Sequence, residues 1–171
     1  MCSASARTPE TTFLLRRRTS KTFEFVDWNM STPEPPIFGS PDPNVRYIER
    51  PAAYVVIKRD GNVAMVNCEA KHFLPGGGSL PGESPEETIG REVCEELGLR
   101  LRLLHGLGEA TQYFYSSDDN RHYKMRAVFF AGEFTDEACG GTAEHQLDWL
   151  PIAEIAQVCF HECHAWVVRQ A

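Results

Sequence analysis

Beyond residue 46 the chain alternates between short β-type runs and one strongly periodic stretch. Residues 52–59 (AAYVVIKR) are apolar and β-branched, and they stop at Asp60-Gly61, a pair that predicts a tight hairpin turn. Residues 62–69 read as the return strand, and 72–75 (HFLP) as a short strand running into the glycines 76–78. Then the period changes. Ile89, Val93 and Leu97 recur every fourth residue, while Glu92, Glu95 and Glu96 share the other side of the same turns. Ser84 suits the N-cap, Pro85 the first helical position and Glu87 the third, completing a capping box; Gly98 suits the residue after the last turn. Gly90, inside this helix, costs about 1 kcal/mol relative to Ala, and close packing is one reason a helix would keep it. Downstream, 101–116 and 123–134 read as a hairpin around a polar turn at 116–122. Residues 146–151 read as a short strand, and 152–159 and 161–171 as helices. This order of strands, helix, strands and helices predicts an α+β sandwich.

The first 45 residues differ from the rest. Residues 1–30 carry Arg7, Arg16, Arg17, Arg18 and Lys21 against Glu10, Glu24 and Asp27, a balance of +2, which leaves −9 for the remainder of a chain whose net charge is −7. A targeting peptide, a start at Met30 and a disordered tail are the three readings of that stretch, the last two together being favoured. The Pro-rich residues 31–45 read as a linker or extended arm, which makes 1–45 an N-terminal extension and 46–171 the folded domain. The negative charge argues against a polymeric nucleic acid partner. No apolar run nears the roughly 20 residues that a membrane span needs, so no membrane partner is expected. The six cysteines are scattered with no secretory signal ahead of them, and are read as reduced thiols of a cytoplasmic protein. Cys159, His161, Cys163 and His164 cluster, but their spacing fits no common zinc pattern, and a two-faced helix is the simpler reading.

Three glutamates at i, i+3 and i+4 repel one another by roughly 0.2–0.5 kcal/mol per pair. A helix that tolerates this has a use for a cation. Residues 77–99 also carry Gly77, Glu83, Arg91, Glu92, Val93, Glu95, Glu96, Gly98 and Leu99 at the nine specified positions of the Nudix box, and 46–171 resembles a Nudix hydrolase domain throughout.

The resemblance implies a Nudix-type α/β/α sandwich with a mixed sheet, and hydrolysis of a diphosphate linkage in a small nucleotide substrate. It also implies Mg²⁺ or Mn²⁺ as cofactor, hard ions that take oxygen ligands. Glu92, Glu95 and Glu96 are the implied ligands, joined by the carbonyl of Gly77. Glu83 is expected to support them, and Arg91 to pair with Glu87 or Glu95 and hold carboxylates in place. Glu144, five residues before Trp149, stands where family members often place the general base; a plain loop residue is the other reading. Glu109 is a weaker candidate for that role, and Asp118 and Asp119 are most simply turn residues. For the substrate, Tyr115 lies 16 residues past Leu99, where the resemblance favours dinucleoside polyphosphates over nucleoside triphosphates, and Tyr113 and Tyr115 could stack on a base. Arg50, Lys58, Lys71, Lys124 and Arg126 are the candidate phosphate contacts, solvated strand positions being the other reading for most of them. A non-catalytic nucleotide sensor is the alternative class, and a homodimer is left open.

Overall fold

Two strands of the chain face helices on both sides, and that decides the layering. In β2 (Ile48–Val56), Ala52, Tyr54 and Val56 pack into one apolar cluster and Ala53 and Val55 into another. In β4 (Asn62–Cys68), Val63 and Met65 go one way, Ala64 and Val66 the other. Strands buried on both faces carry continuous apolar runs, which is what these segments are. The computed structural model describes residues 34–69, 71–140 and 142–171; the readings of residues 1–30 lie outside the described residues.

The larger sheet has the order β1-β7-β8-β2-β6. Its members are β1 (Ile37–Phe38), β2, β6 (Gly76–Gly78), β7 (Leu99–Ser116) and β8 (Arg121–Ala138). β2 runs parallel to β8, and β1 parallel to β7; the other pairs are antiparallel, so the sheet is mixed. β1 falls in the stretch expected to be a linker or arm, ahead of Arg46, and it pairs with Thr111 and Gln112. The second sheet joins β3 (Lys58–Arg59), β4, β5 (Lys71–Phe73) and β9 (Gln146–Pro151). Between β3 and β4, Asp60 and Gly61 both have positive φ, as the predicted turn requires.

Helix α1 (Pro85–Leu97) lies over one face with Ile89, Val93 and Leu97 buried. α2 (Ile155–Val158), reached through a 3-10 turn at Ile152–Glu154, and α3 (Glu162–Gln170) cover the other. Cys163 and His164 point into the core and Cys159 ends α2, so the Cys/His cluster is divided between two elements. The reading of all cysteines as free thiols is corrected. Cys94 of α1 and Cys139, just past β8, form a disulfide across 45 residues of sequence, while Cys68, Cys159 and Cys163 are free. Two segments distant in sequence are packed side by side here, which spacing alone does not reveal. The bridge also removes one support for a cytoplasmic location. Among the described residues no helix is long and apolar enough to cross a membrane.

Candidate active site

The ends of α1 are fixed by local chemistry. The Ser84 side chain accepts from the Glu87 N–H at 3.1 Å, and Glu87 accepts from the Ser84 N–H at 2.8 Å. At the other end Gly98 adopts φ 66° and donates to the Cys94 carbonyl. The acidic face is thereby held against the glycine strand β6. A Cβ on Gly77 would sit 2.6 Å from the Glu92 carboxyl carbon, so a larger residue there would push that carboxylate from its place. Gly76 has φ 125°, and its N–H donates to Glu96 at 3.1 Å.

Arg91 organises the helix face. Its Nε and Nη2 donate to the two oxygens of Glu83 at 2.7 and 3.0 Å, Nη2 also to the Gly78 carbonyl at 3.0 Å, and Nη1 to Glu92 at 2.9 Å and Glu95 at 3.1 Å. Of the two partners expected for it, Glu95 is engaged; Glu87 is committed to the cap. The guanidinium holds the Glu83 carboxyl down to about 2, and the carboxylates keep Arg91 charged. Glu96 behaves oppositely. Burial, with Glu92, Glu144 and Glu95 nearby, pushes its carboxyl up to about 8, against the Gly76 N–H, which favours the charged form.

The segment after Cys139 closes the site. The Glu144 N–H donates to the Glu95 carbonyl at 3.2 Å and the His145 N–H to the Glu96 carbonyl at 2.9 Å. Glu144 is exposed beside the acidic face.

A divalent cation fits this donor set. Among the described residues no three acidic, imidazole or thiol groups already converge as a metal shell, because Arg91 holds Glu92 and Glu95 and the Gly76 N–H holds Glu96. Yet a buried carboxyl that keeps its proton among three other carboxylates is a place where a 2+ ion can replace that proton.

A cavity of about 270 Å³ opens beside the acidic face. Glu92, Glu96, Gly77, Arg50, Lys71, Phe73, Phe114, Phe160 and His161 are among the residues that line it. Asp118 reaches it from the β7–β8 turn, whereas Asp119 is exposed and accepts from the Tyr123 hydroxyl. Of the residues expected to bind substrate, the structure brings Arg50 and Lys71 to this cavity and leaves Tyr113, Tyr115, Lys124 and Arg126 apart. Lys124 is paired with Glu49 at 2.9 Å, and with Tyr113, Arg126 and Glu109 it lines a separate groove beside β1. Tyr115 is exposed and donates to Asn120 at 2.7 Å. Strand alternation is the reason: Phe114 turns toward the cavity and its neighbours away. Phe73 and Phe160 have no role in the sequence reading, and His161 enters it only with the Cys/His cluster; no spacing links positions on β5 and the α2–α3 junction.

The family model described as NUDIX domain matches residues 48–170. The chain is 38% identical over 88 residues to mutator protein MutT4 of Mycobacterium tuberculosis (strain CDC 1551 / Oshkosh), an alignment that takes in 48% of this chain and spans only 33% of that protein. Among solved structures, a NUDIX hydrolase from Nitrosomonas europaea aligns with TM-score 0.58 at 19% identity, covering 72% of this chain and 88% of that one. A MutT NUDIX hydrolase from Burkholderia pseudomallei aligns with TM-score 0.56 at 24% identity, covering 72% and 98%. These two structures share the fold.

Proposed function

Because the chain belongs to the NUDIX family, we propose that it is a pyrophosphohydrolase that cleaves a phosphoric anhydride bond in a nucleoside triphosphate or a related nucleoside diphosphate derivative. The observation that carries this reading is the cavity shared by Glu92, Glu96 and the Arg50 guanidinium. It offers anionic ligands for a cation and a cationic contact for phosphate in one space. Arg50 has an additional hold: it lies 5.4 Å from the Tyr123 ring and against Gly78.

In this reading Glu92, Glu95 and Glu96 hold Mg²⁺ or Mn²⁺, with the Gly77 carbonyl beside them. The bound ion supplies charge neutralisation of the phosphate oxygens and a more acidic water. Arg91 and Glu83 keep the carboxylates oriented. Glu144 takes the proton of the attacking water, the P–O anhydride bond breaks, and its bridging oxygen leaves on the departing phosphate. The tail-and-domain division is carried into this proposal with the catalytic unit in 46–171 and with β1, from the stretch read as an arm, added to that unit's larger sheet.

The preference for dinucleoside polyphosphates rested on Tyr115, which faces away from the cavity. Nucleoside triphosphates are therefore placed first. Product analysis across nucleoside triphosphates, dinucleoside polyphosphates and nucleoside diphosphate sugars, with Mg²⁺ and with EDTA, tests the reading. Metal-dependent release of a nucleoside monophosphate supports it. No cleavage by wild type, with nucleotide bound equally by wild type and Glu96→Gln, would put the sensor reading in its place.

A further inference from the structure

His164 of α3 is fully buried, on the side of the sheets opposite α1. Rings surround it: the centroid of Tyr54 lies at 4.3 Å, His161 at 5.1 Å, Phe129 at 6.0 Å and Phe73 at 6.5 Å. One of its nitrogens, Nδ1, accepts from the Leu74 N–H at 3.1 Å. The other, Nε2, is buried and meets no hydrogen-bond partner among the described residues. A buried donor without a partner is a penalty that an apolar side chain of similar size would not carry. The contact through Nδ1 is what the structure sets against it. To accept there the ring must be neutral, because an imidazolium donates from both nitrogens. Burial, with His161 beside it, holds the group well below the ordinary histidine range, so the ring is neutral and its proton sits on Nε2.

The partner of that bond occupies a particular place. Leu74 and Pro75 carry the chain from β5 in the second sheet to β6 in the larger one. On the β5 side the His72 carbonyl accepts from the Phe160 N–H at 3.0 Å, and in the crossing the Pro75 carbonyl accepts from the Val55 N–H at 2.9 Å. Pro75 has no N–H of its own. The Leu74 N–H lies outside both strands and is met by His164 alone. Directly beyond, the Gly76 N–H donates to Glu96 and Gly77 stands against the Glu92 carboxylate. The short crossing is thus gripped from the α3 side just before it meets the acidic face of α1.

We infer that His164 is a positioning residue for the cation site: by holding the Leu74 N–H it fixes β6 beneath α1, and with it the Gly77 carbonyl and the Gly76 N–H that meets Glu96. This rests on the reading that Glu92, Glu95, Glu96 and the Gly77 carbonyl take a divalent ion. It gives the helix layer remote from the carboxylates a share in their geometry, since groups that orient metal ligands set affinity without touching the ion.

Two variants of the full chain separate this role from plain core packing. His164→Leu keeps most of the volume and removes the acceptor. His164→Asn removes volume and keeps an acceptor, because its Oδ1 is attached at the same carbon as Nδ1. Mn²⁺ binding is measured from the electron-spin signal of the free ion, and exchange of the Gly76 amide by NMR in EDTA; melting curves give stability. His164→Leu is expected to weaken Mn²⁺ binding about tenfold or more and to lose protection at Gly76. His164→Asn should recover most of both, although the space it leaves lowers its melting temperature further. Should the leucine variant not fold, His164→Gln, whose amide oxygen sits one bond further out, takes its place with the same expectation. Affinity and Gly76 protection that follow melting temperature, or that no variant changes, overturn the role. If wild type binds no Mn²⁺, the metal reading falls, and Gly76 protection alone decides: lost in the leucine variant and kept in the asparagine one, it upholds the hold of His164 on β6; equal in both, it overturns it.

Discussion

Arg91 and Glu83 meet as two planar forks, Nε to Oε1 at 2.7 Å and Nη2 to Oε2 at 3.0 Å, Glu83 standing just ahead of α1 and Arg91 within it. The pair fixes the loop that precedes α1 and aims the remaining nitrogen of the guanidinium at Glu92 and Glu95. A lysine keeps the charge but not the fork. Arg91→Lys is expected to lower kcat about 10- to 100-fold and to raise the Mg²⁺ concentration needed for half-maximal rate, the usual size for losing a group that orients metal ligands. A Mg²⁺ titration of the initial rate measures both. An unchanged half-maximal concentration would mean that Arg91 serves the loop alone.

Glu96 sets the pH behaviour of the metal-free protein. Its carboxyl is raised from 4.5 to about 8 in the fold. Between those values the folded chain holds a proton that the unfolded chain has lost. Metal-free stability should therefore fall as pH rises from about 4.5 to 8, by at most about 1.4 kcal/mol per unit. Urea denaturation in EDTA at several pH values checks this. Glu96→Gln should remove the slope, and Mg²⁺ at pH 8 should restore stability to wild type and not to the variant. A wild-type profile in EDTA that matches the variant's would show that Glu96 ionises freely.

The Cys94–Cys139 bridge closes 45 residues of chain. Cross-links of this loop size stabilise by about 2–4 kcal/mol. Adding a thiol reductant, or replacing both cysteines by serine, should lower the melting temperature. It should also reduce kcat, because the bridge holds the segment that carries Glu144 against α1. Mass analysis of alkylated peptides, with and without reductant, verifies the pairing. Identical melting curves would show that the two thiols are not joined in solution.

Gly90 offers a stabilising change. The close packing that would justify a glycine in mid-helix is absent: a Cβ built there has nothing within 4 Å, and the position is exposed. Gly90→Ala should stabilise the protein by about 1 kcal/mol with no change in kcat. Chemical denaturation reads the difference directly. A destabilised variant would point to a role of Gly90 in an assembly.

What could be read in the sequence was whatever is encoded within one turn or one hairpin. Ser84, Glu87 and Gly98 act on neighbours three or four residues away, so the bounds of α1 were legible. Asp60-Gly61 announced its turn for the same reason. The face of β7 was not legible, because Tyr113, Phe114 and Tyr115 are consecutive and aromatic on both sides; only packing decides which one turns inward. Phe73 and Phe160 come together through the pairing of β5 with the α2–α3 junction, a relation with no local signature. Cys94 and Cys139 escaped for that reason too.

The segment carrying Glu144 is moored to α1 through main-chain groups. The N–H groups of residues 144 and 145 meet the carbonyls of Glu95 and Glu96, which the last turn of a helix leaves free. Apart from the Cys94–Cys139 bridge upstream, the mooring reads no side chain. Position 144 can therefore exchange its residue type while the loop keeps its address beside the acidic face. The scaffold can try a different proton acceptor by one substitution, without rebuilding the backbone that presents it.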